Sequence, residues 1–263
     1  MSVNTYLDSL SSKLVLSESD KNSINISIES LKNRINYYFS NVDEHFKFGS
    51  SLRFTILPRK ADSDSDIDYM IVFETRSATY KPQTYLDRLK AFVGVYYSSS
   101  EIYQSNPAIV LELNHIKFDL VPAIKLWPYN NYQIPSTTNY SSDWISTDPN
   151  GLNDKLTAKN VIHNSQIKPL IRLVKYWNAL NGRPFPSYSL ENSIIDMVFY
   201  SCNSVKDYFY YFWANFAYNY NTAEYIKDKV IRAKKKVQNI KNCEDLGFSE
   251  MAERELKDFL PEF

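Results

Sequence analysis

The run "ADSDSDIDYMIVF", residues 61–73, gathers Asp62, Asp64, Asp66 and Asp68 and then turns into an apolar, β-branched stretch. Carboxylates at alternate positions repel one another, so their placement needs a cause. Asp and Ser make turns through their own side-chain hydrogen bonds, which accounts for Asp62 and Asp64 as a solvated acidic loop. Asp66 and Asp68 differ, because they sit at the entrance of a strand predicted over 67–73. Residues two apart on a strand share a face, roughly 7 Å apart along the backbone, so these two carboxylates can converge on one hard cation.

The neighbouring segments extend this reading. Upstream, "EHFKF" (44–48) reads as a strand and "GSS" (49–51) as a turn. Gly49 lets the backbone approach a phosphate, while the Ser50 hydroxyl and backbone N–H groups supply donors to its oxygens. Downstream, "AIVLEL" and "IKFDLVPAI" are separated by Asn114 and His115, a hairpin signature. Alternation puts Phe118 and Leu120 on one face and Lys117 and Asp119 on the other. A carboxylate in the middle of that apolar strand is expensive unless something pairs with it. A phosphate-cradling turn with three carboxylates for two metals is the apparatus of phosphoryl transfer.

Two further stretches have helical spacing. After Ser17, Ile24, Ile28, Leu31, Ile35 and Tyr38 recur at intervals of three and four, with Ser17 as N-cap and Asp20 at the capping-box position. Another helix is expected from Pro82 to Tyr97. Residues 128–150 are polar, aromatic and Pro-containing without helical period, and read as a long loop crossing between lobes. From about 153 onward the pattern is helical to the end, as in "QIKPLIRLVKYWNAL" and "SLENSIIDMVFYSC". The chain is therefore expected to be an α/β half with a mixed sheet, followed by an all-helical half.

Composition narrows the function classes. At 263 residues the chain can build a full core without a metal or disulfide staple. Thirty basic and thirty acidic residues cancel, which argues against a whole-molecule electrostatic trap for nucleic acid. The basic run at 227–241 carries Ile226, Val230, Ala233, Val237 and Ile240 as a core stripe, so its lysines read as a solvated face. His45, His115 and His163 lack metal-site spacing and read as hydrogen-bonded or surface imidazoles. Arg53 and Lys60 read as solvated. Cys202 and Cys243 have no CxxC spacing and fit a reducing compartment. The N-terminal residues lack a basic leader and apolar h-region, and no long uncharged run follows. A cytoplasmic protein with no membrane association is the expectation.

"FGSSLRFT", "SDIDYMIVF" and "IKFDLVPAI" together resemble the Gly-Ser, Asp-x-Asp, later-Asp pattern of the DNA polymerase β-like nucleotidyltransferase superfamily. "PLIRLVKYWN" and "SYSLE" resemble the helical-half motifs of bacterial cGAS/DncV-like nucleotidyltransferases, whose domain is called SMODS. The resemblance implies an α+β, two-lobed fold: a catalytic lobe with a long N-terminal helix over 1–150, and a helical lobe over 151–263 completing an NTP site in the cleft. It implies that Asp66, Asp68 and Asp119 hold two Mg²⁺ ions, with Mn²⁺ able to substitute, and that Asp119 assists deprotonation of the attacking hydroxyl. Gly49 and Ser50 would grip the triphosphate, Lys175 would reach the phosphates, Ser187 would donate to them and Tyr188 would stack on the base. Without the family, Lys175 reads as a snorkelling lysine, Ser187 as a helix N-cap and Tyr188 as core packing. The family often has Gly-Thr where this chain has Phe54 and Thr55.

The activity implied is synthesis of a cyclic di- or trinucleotide from NTPs such as ATP and GTP, with pyrophosphate release. The product would act on a separate effector in anti-phage signalling. Transfer of a nucleotide to an RNA or protein acceptor, or a catalytically silent nucleotide sensor, are the competing readings. No motif specifies an oligomeric state.

Overall fold

A computed structural model describes residues 2–75, 79–126, 131–138 and 143–263. They form two compact units. The helical unit comprises the chain through Leu16, Lys60–Ser63 and Asp154–Phe263; the sheet unit comprises Ser17–Arg59 and Asp64–Asn153.

The sheet unit is built on β1 (Val42–Lys47), β2 (Asp66–Phe73), β3 (Glu101–Ser105), β4 (Ala108–Glu112), β5 (Lys117–Leu126), β6 (Asn131–Pro135) and β7 (Trp144–Thr147). The order is β1-β2-β5-β4-β3, with β6 added to β5 and β7 to β6. Among the described strands only the β2–β5 pairing is parallel, so the sheet is mixed as expected. β5 pairs with β4 along its first half and β6 along its second, which makes it the spine of the sheet.

Two long helices of this unit flank the sheet, α2 (Glu18–Tyr38) and α4 (Pro82–Tyr96). α2 starts at Ser17 with both capping-box hydrogen bonds in place, and its buried stripe is Ile24, Ile28, Leu31 and Ile35. α4 opens with proline inside its first turn, where the missing N–H has no intrahelical use. It covers one sheet face, where Phe73 meets Tyr85 at 5.0 Å and Phe39 at 5.2 Å between ring centroids. On the other face Met70, Val72 and Ala123 pack with Phe46, Phe48, Tyr132 and Ile134. β2 is thus apolar from Tyr69 onward because both its faces are covered.

The helical unit contains α1 (Val3–Lys13), α6 (Ile167–Leu180), α7 (Ser187–Asp196), α8 (Val205–Asn215), α9 (Glu224–Asp245) and α10 (Ser249–Phe259). α5 (Gly151–Ile162) carries the chain into it. Its core is aromatic: Trp177 meets Trp213 at 4.7 Å, and Phe212 stacks on Phe216 at 4.9 Å. α1 packs against α6, α8 and α10, with the Tyr6 hydroxyl donating to the Leu260 carbonyl and Arg172 Nε to that of Ser11.

Several expectations need correction. Residues 49–52 form a short helix, α3 (Gly49–Leu52), instead of a turn. The segment 128–150 holds two strands, β6 and β7, so it is no continuous loop; its residues 128–130 and 139–142 lie outside those described. The first sixteen residues group with the helical unit, where the sequence placed them with 1–150. The reason is α1, whose buried Val3, Tyr6, Leu7 and Leu10 need the apolar faces of that unit.

Candidate nucleotidyltransfer site

Asp66 and Asp68 open β2 on the face that continues into Met70 and Val72. The parallel register sets Asp68 beside Asp119 and Asp66 beside Lys117 on β5. Three carboxylates therefore share one end of one sheet face, held there by strands that are buried over Tyr69–Phe73 and Leu120–Ile124. The Lys117 ammonium stands 3.8 Å from the Asp66 carboxylate and offsets part of the charge.

Asp119 carries the largest unmet demand. Its Oδ1 is buried and has no hydrogen-bond partner among the described residues. Burial, then the charge of Asp66, push its carboxyl up to about 7, with Lys117 opposing. A buried oxygen of this kind, next to further carboxylates, has the chemistry of a divalent-cation ligand. Among the described residues no three such side chains are already closed into a cage. Mutual repulsion is reason for the carboxylates to stay apart until a cation offsets it. The donor set, all hard oxygen, fits Mg²⁺ or Mn²⁺.

Gly49 closes the site from above the strand. Its φ is +71°, and a Cβ there would lie 1.8 Å from Asp68 Oδ2. Both facts demand glycine. The Phe48 N–H donates to the Asp68 carbonyl at 3.0 Å and pins the start of α3 against β2. The Ser50 carbonyl accepts from the Thr55 and Ile56 N–H groups, closing the loop behind it. That closure places Phe54 at φ 61°, the left-handed conformation that glycine adopts most easily.

The structure thus brings Gly49, Ser50, Asp66, Asp68 and Asp119 together in the sheet unit. Lys175, Ser187 and Tyr188 all belong to the helical unit. Lys175 is buried, with its ammonium 3.4 Å from the fully buried Glu191 carboxylate, and is not a snorkelling surface lysine. Ser187 is the first residue of α7, one position inside its cap Pro186. Tyr188 is 59% exposed, so its ring is not committed to a core.

Two residues read as solvated from the sequence are placed otherwise. Asp62 is not a solvated loop residue: it accepts from the Arg183 guanidinium within the helical unit. Arg53, read as solvated, is buried. The histidines match expectation. His45 bonds Tyr69 and Asn36, His115 bonds Ser27, and His163 bonds Tyr208. On α9, Val230, Ala233, Val237 and Ile240 are buried, and Lys227, Lys236 and Lys241 pair with Glu224, Glu255 and Asp245. Among the described residues no helix is long and apolar enough to cross a membrane.

Comparison with known proteins bears on family and fold. The family model of the Second Messenger Oligonucleotide or Dinucleotide Synthetase (SMODS) domain matches residues 1–160. A probable cyclic nucleotide synthase of Bacillus cereus (strain VD146) is 30% identical over 119 residues, covering 42% of this chain and 35% of that protein. Among solved structures, CdnC of E. coli MS115-1 with ATP has a TM-score of 0.73 at 12% identity, covering 98% of both chains. The 3′-deoxy GTP-bound form of Escherichia coli DncV gives 0.72 at 12% identity, covering 95% of this chain and 93% of its own. The CD-NTase CdnG of Bradyrhizobium diazoefficiens, in complex with GTP, gives 0.71 at 12% identity and 96% of both chains. At such identities the structural likeness is one of fold. With the family model spanning more than half its length, the chain belongs to the SMODS family and has the polymerase β-like nucleotidyltransferase fold.

Proposed function

We propose that this protein joins NTPs into a cyclic oligonucleotide second messenger, releasing pyrophosphate, and that the product acts on a separate effector in anti-phage signalling. The observation that carries this reading is the buried, unpartnered oxygen of Asp119 at the register position beside Asp68. It is supported by the SMODS match and by relatives of the same fold solved with ATP and GTP.

In this reading Asp66, Asp68 and Asp119 hold two divalent cations, Mg²⁺ or Mn²⁺. Such ions lower the pKa of an attacking hydroxyl and neutralise a leaving pyrophosphate. The protein's own groups do the rest. Gly49 and Ser50 receive the triphosphate, the absence of a Cβ at Gly49 letting the Asp68 carboxylate sit against its backbone. Asp119 assists removal of the proton from the ribose hydroxyl. Lys175 and Ser187 serve the phosphates and Tyr188 stacks on a base, a contact tolerant of base identity because every base has a π-face. A second round of the same transfer closes the ring.

The test is incubation with labelled ATP, GTP, CTP and UTP, singly and mixed, followed by phosphatase and chromatography. A phosphatase-resistant product is expected. Label appearing only on an added RNA or protein acceptor would overturn cyclisation in favour of transfer to that acceptor.

A further inference from the structure

The helical unit contains a cavity that the nucleotidyltransfer reading does not use. It lies along α8 and α9, has a volume of about 740 Å³, and adjoins a second cavity of about 460 Å³ through the shared Tyr200, Tyr211 and Asn215. Small-molecule sites commonly occupy roughly 300–1,000 Å³. Every lining residue belongs to the helical unit.

Its walls combine rings and cations. Tyr200 is 67% exposed, and its ring centroid is 6.4 Å from that of Tyr211. From α9 come Lys234, Lys235 and Lys241, with Val237 between them. Lys234 donates weakly to the Ala214 carbonyl at 3.4 Å, and Lys241 pairs with Asp245 in an exposed i,i+4 contact. Lys235 is exposed and has no partner among the described residues. Asp207 also borders the cavity, but its Oδ2 already accepts from the Asn203 and Ser204 N–H groups and the Ser204 hydroxyl. Three lysines against one carboxylate leave the lining net positive, which favours an anion.

Trp213 also borders the cavity; its indole is 1% exposed and packs against Trp177 at 4.7 Å, which makes that wall apolar.

We propose that this cavity binds a nucleotide-class anion, with its planar ring against Tyr200 and Tyr211 and its phosphate met by Lys235 and Lys241. Rings select for a planar partner, since aromatic stacking accepts any base. The amides of Asn215 and Gln238, also on the lining, can meet a ring edge from either side of a hydrogen bond. The lysines meet the phosphate directly, so binding requires no divalent cation.

The experiment is photolabelling with 8-azido-ATP in the presence of EDTA, on protein carrying Asp66→Asn and Asp68→Asn, followed by peptide mapping. Label is expected on peptides from 200–215 or 234–241, competed by ATP. It should fall about tenfold or more when Lys235→Glu and Tyr200→Ala are added, from loss of a stacking partner and a charge. Both substituted side chains are exposed, and circular dichroism checks that the fold is kept. Label confined to other peptides, or label there that the two substitutions leave unchanged, overturns the proposal. Neither result depends on synthesis of a product.

Discussion

Single residues set the chemistry, and Gly49 is the sharpest case. Gly49→Ala would force a side chain onto Asp68 Oδ2 and into a left-handed backbone. We expect a stability loss of about 1–2 kcal/mol from the backbone alone. Nucleotidyl transfer should fall by more than about tenfold as Asp68 is displaced, since small misplacements are costly in catalysis. Denaturant unfolding and a pyrophosphate-release assay check the two parts separately. Asp119 gives a prediction with a definite sign. Its folded pKa, about 7, stands above the ordinary carboxyl value, so its contribution to stability is complete below about pH 4 and is lost as pH rises through 7. In chelator, Asp119→Asn should raise the melting temperature at pH 8, by about 1–2 kcal/mol or roughly 2–8 °C, with little effect near pH 4. Added Mg²⁺ should stabilise the native protein at pH 8 and the variant less. The carboxylates and Gly49 were legible in sequence because period-two alternation and a Gly-Ser step carry direct chemical meaning. The Asp62–Arg183 pair was not, because its partners are 121 residues apart and no local pattern joins them.

At the scale of elements, caps and paired charges carry the predictions. Ser17 caps α2 in the sheet unit and Ser204 caps α8 in the helical unit, each in a complete capping box. Ser17→Ala and Ser204→Ala should each cost about 1 kcal/mol in denaturant unfolding. Lys175→Ala removes a cation from beside the buried Glu191 on α7, and should cost about 3 kcal/mol or more. Lys175→Ala with Glu191→Ala should recover part of that loss, which would separate the structural role of the pair from any role with phosphate. The legible elements were those with a strong period or a cap, α2, α4, β2 and β5. β3 escaped because four of its five residues are exposed, so no alternation marks it. β6 and β7 escaped because their pairing depends on the second half of β5, which nothing local announces. α1 was within reach: Val3, Tyr6, Leu7 and Leu10 repeat at helical spacing in a segment read only for targeting signals.

For the whole molecule, the sequence-level expectation of an α+β chain with a mixed sheet and a helical half matches the structure, because buried strands and amphipathic helices leave different periodicities. The grouping of α1 with the far end of the chain did not follow from sequence, since it is set by tertiary burial. What the molecule does rests on one claim: Asp66, Asp68 and Asp119 act together on NTPs. The direct measurement is release of labelled pyrophosphate and formation of a phosphatase-resistant product from mixed NTPs with Mg²⁺, comparing the native protein with Asp66→Asn/Asp68→Asn and with Asp119→Asn. Both products should form with the native protein, fall by about a thousandfold or more in each variant, and vanish on adding EDTA, in keeping with metal-assisted transfer. Synthesis that persists in a folded Asp66→Asn/Asp68→Asn protein would contradict the claim and place the chemistry elsewhere in the chain.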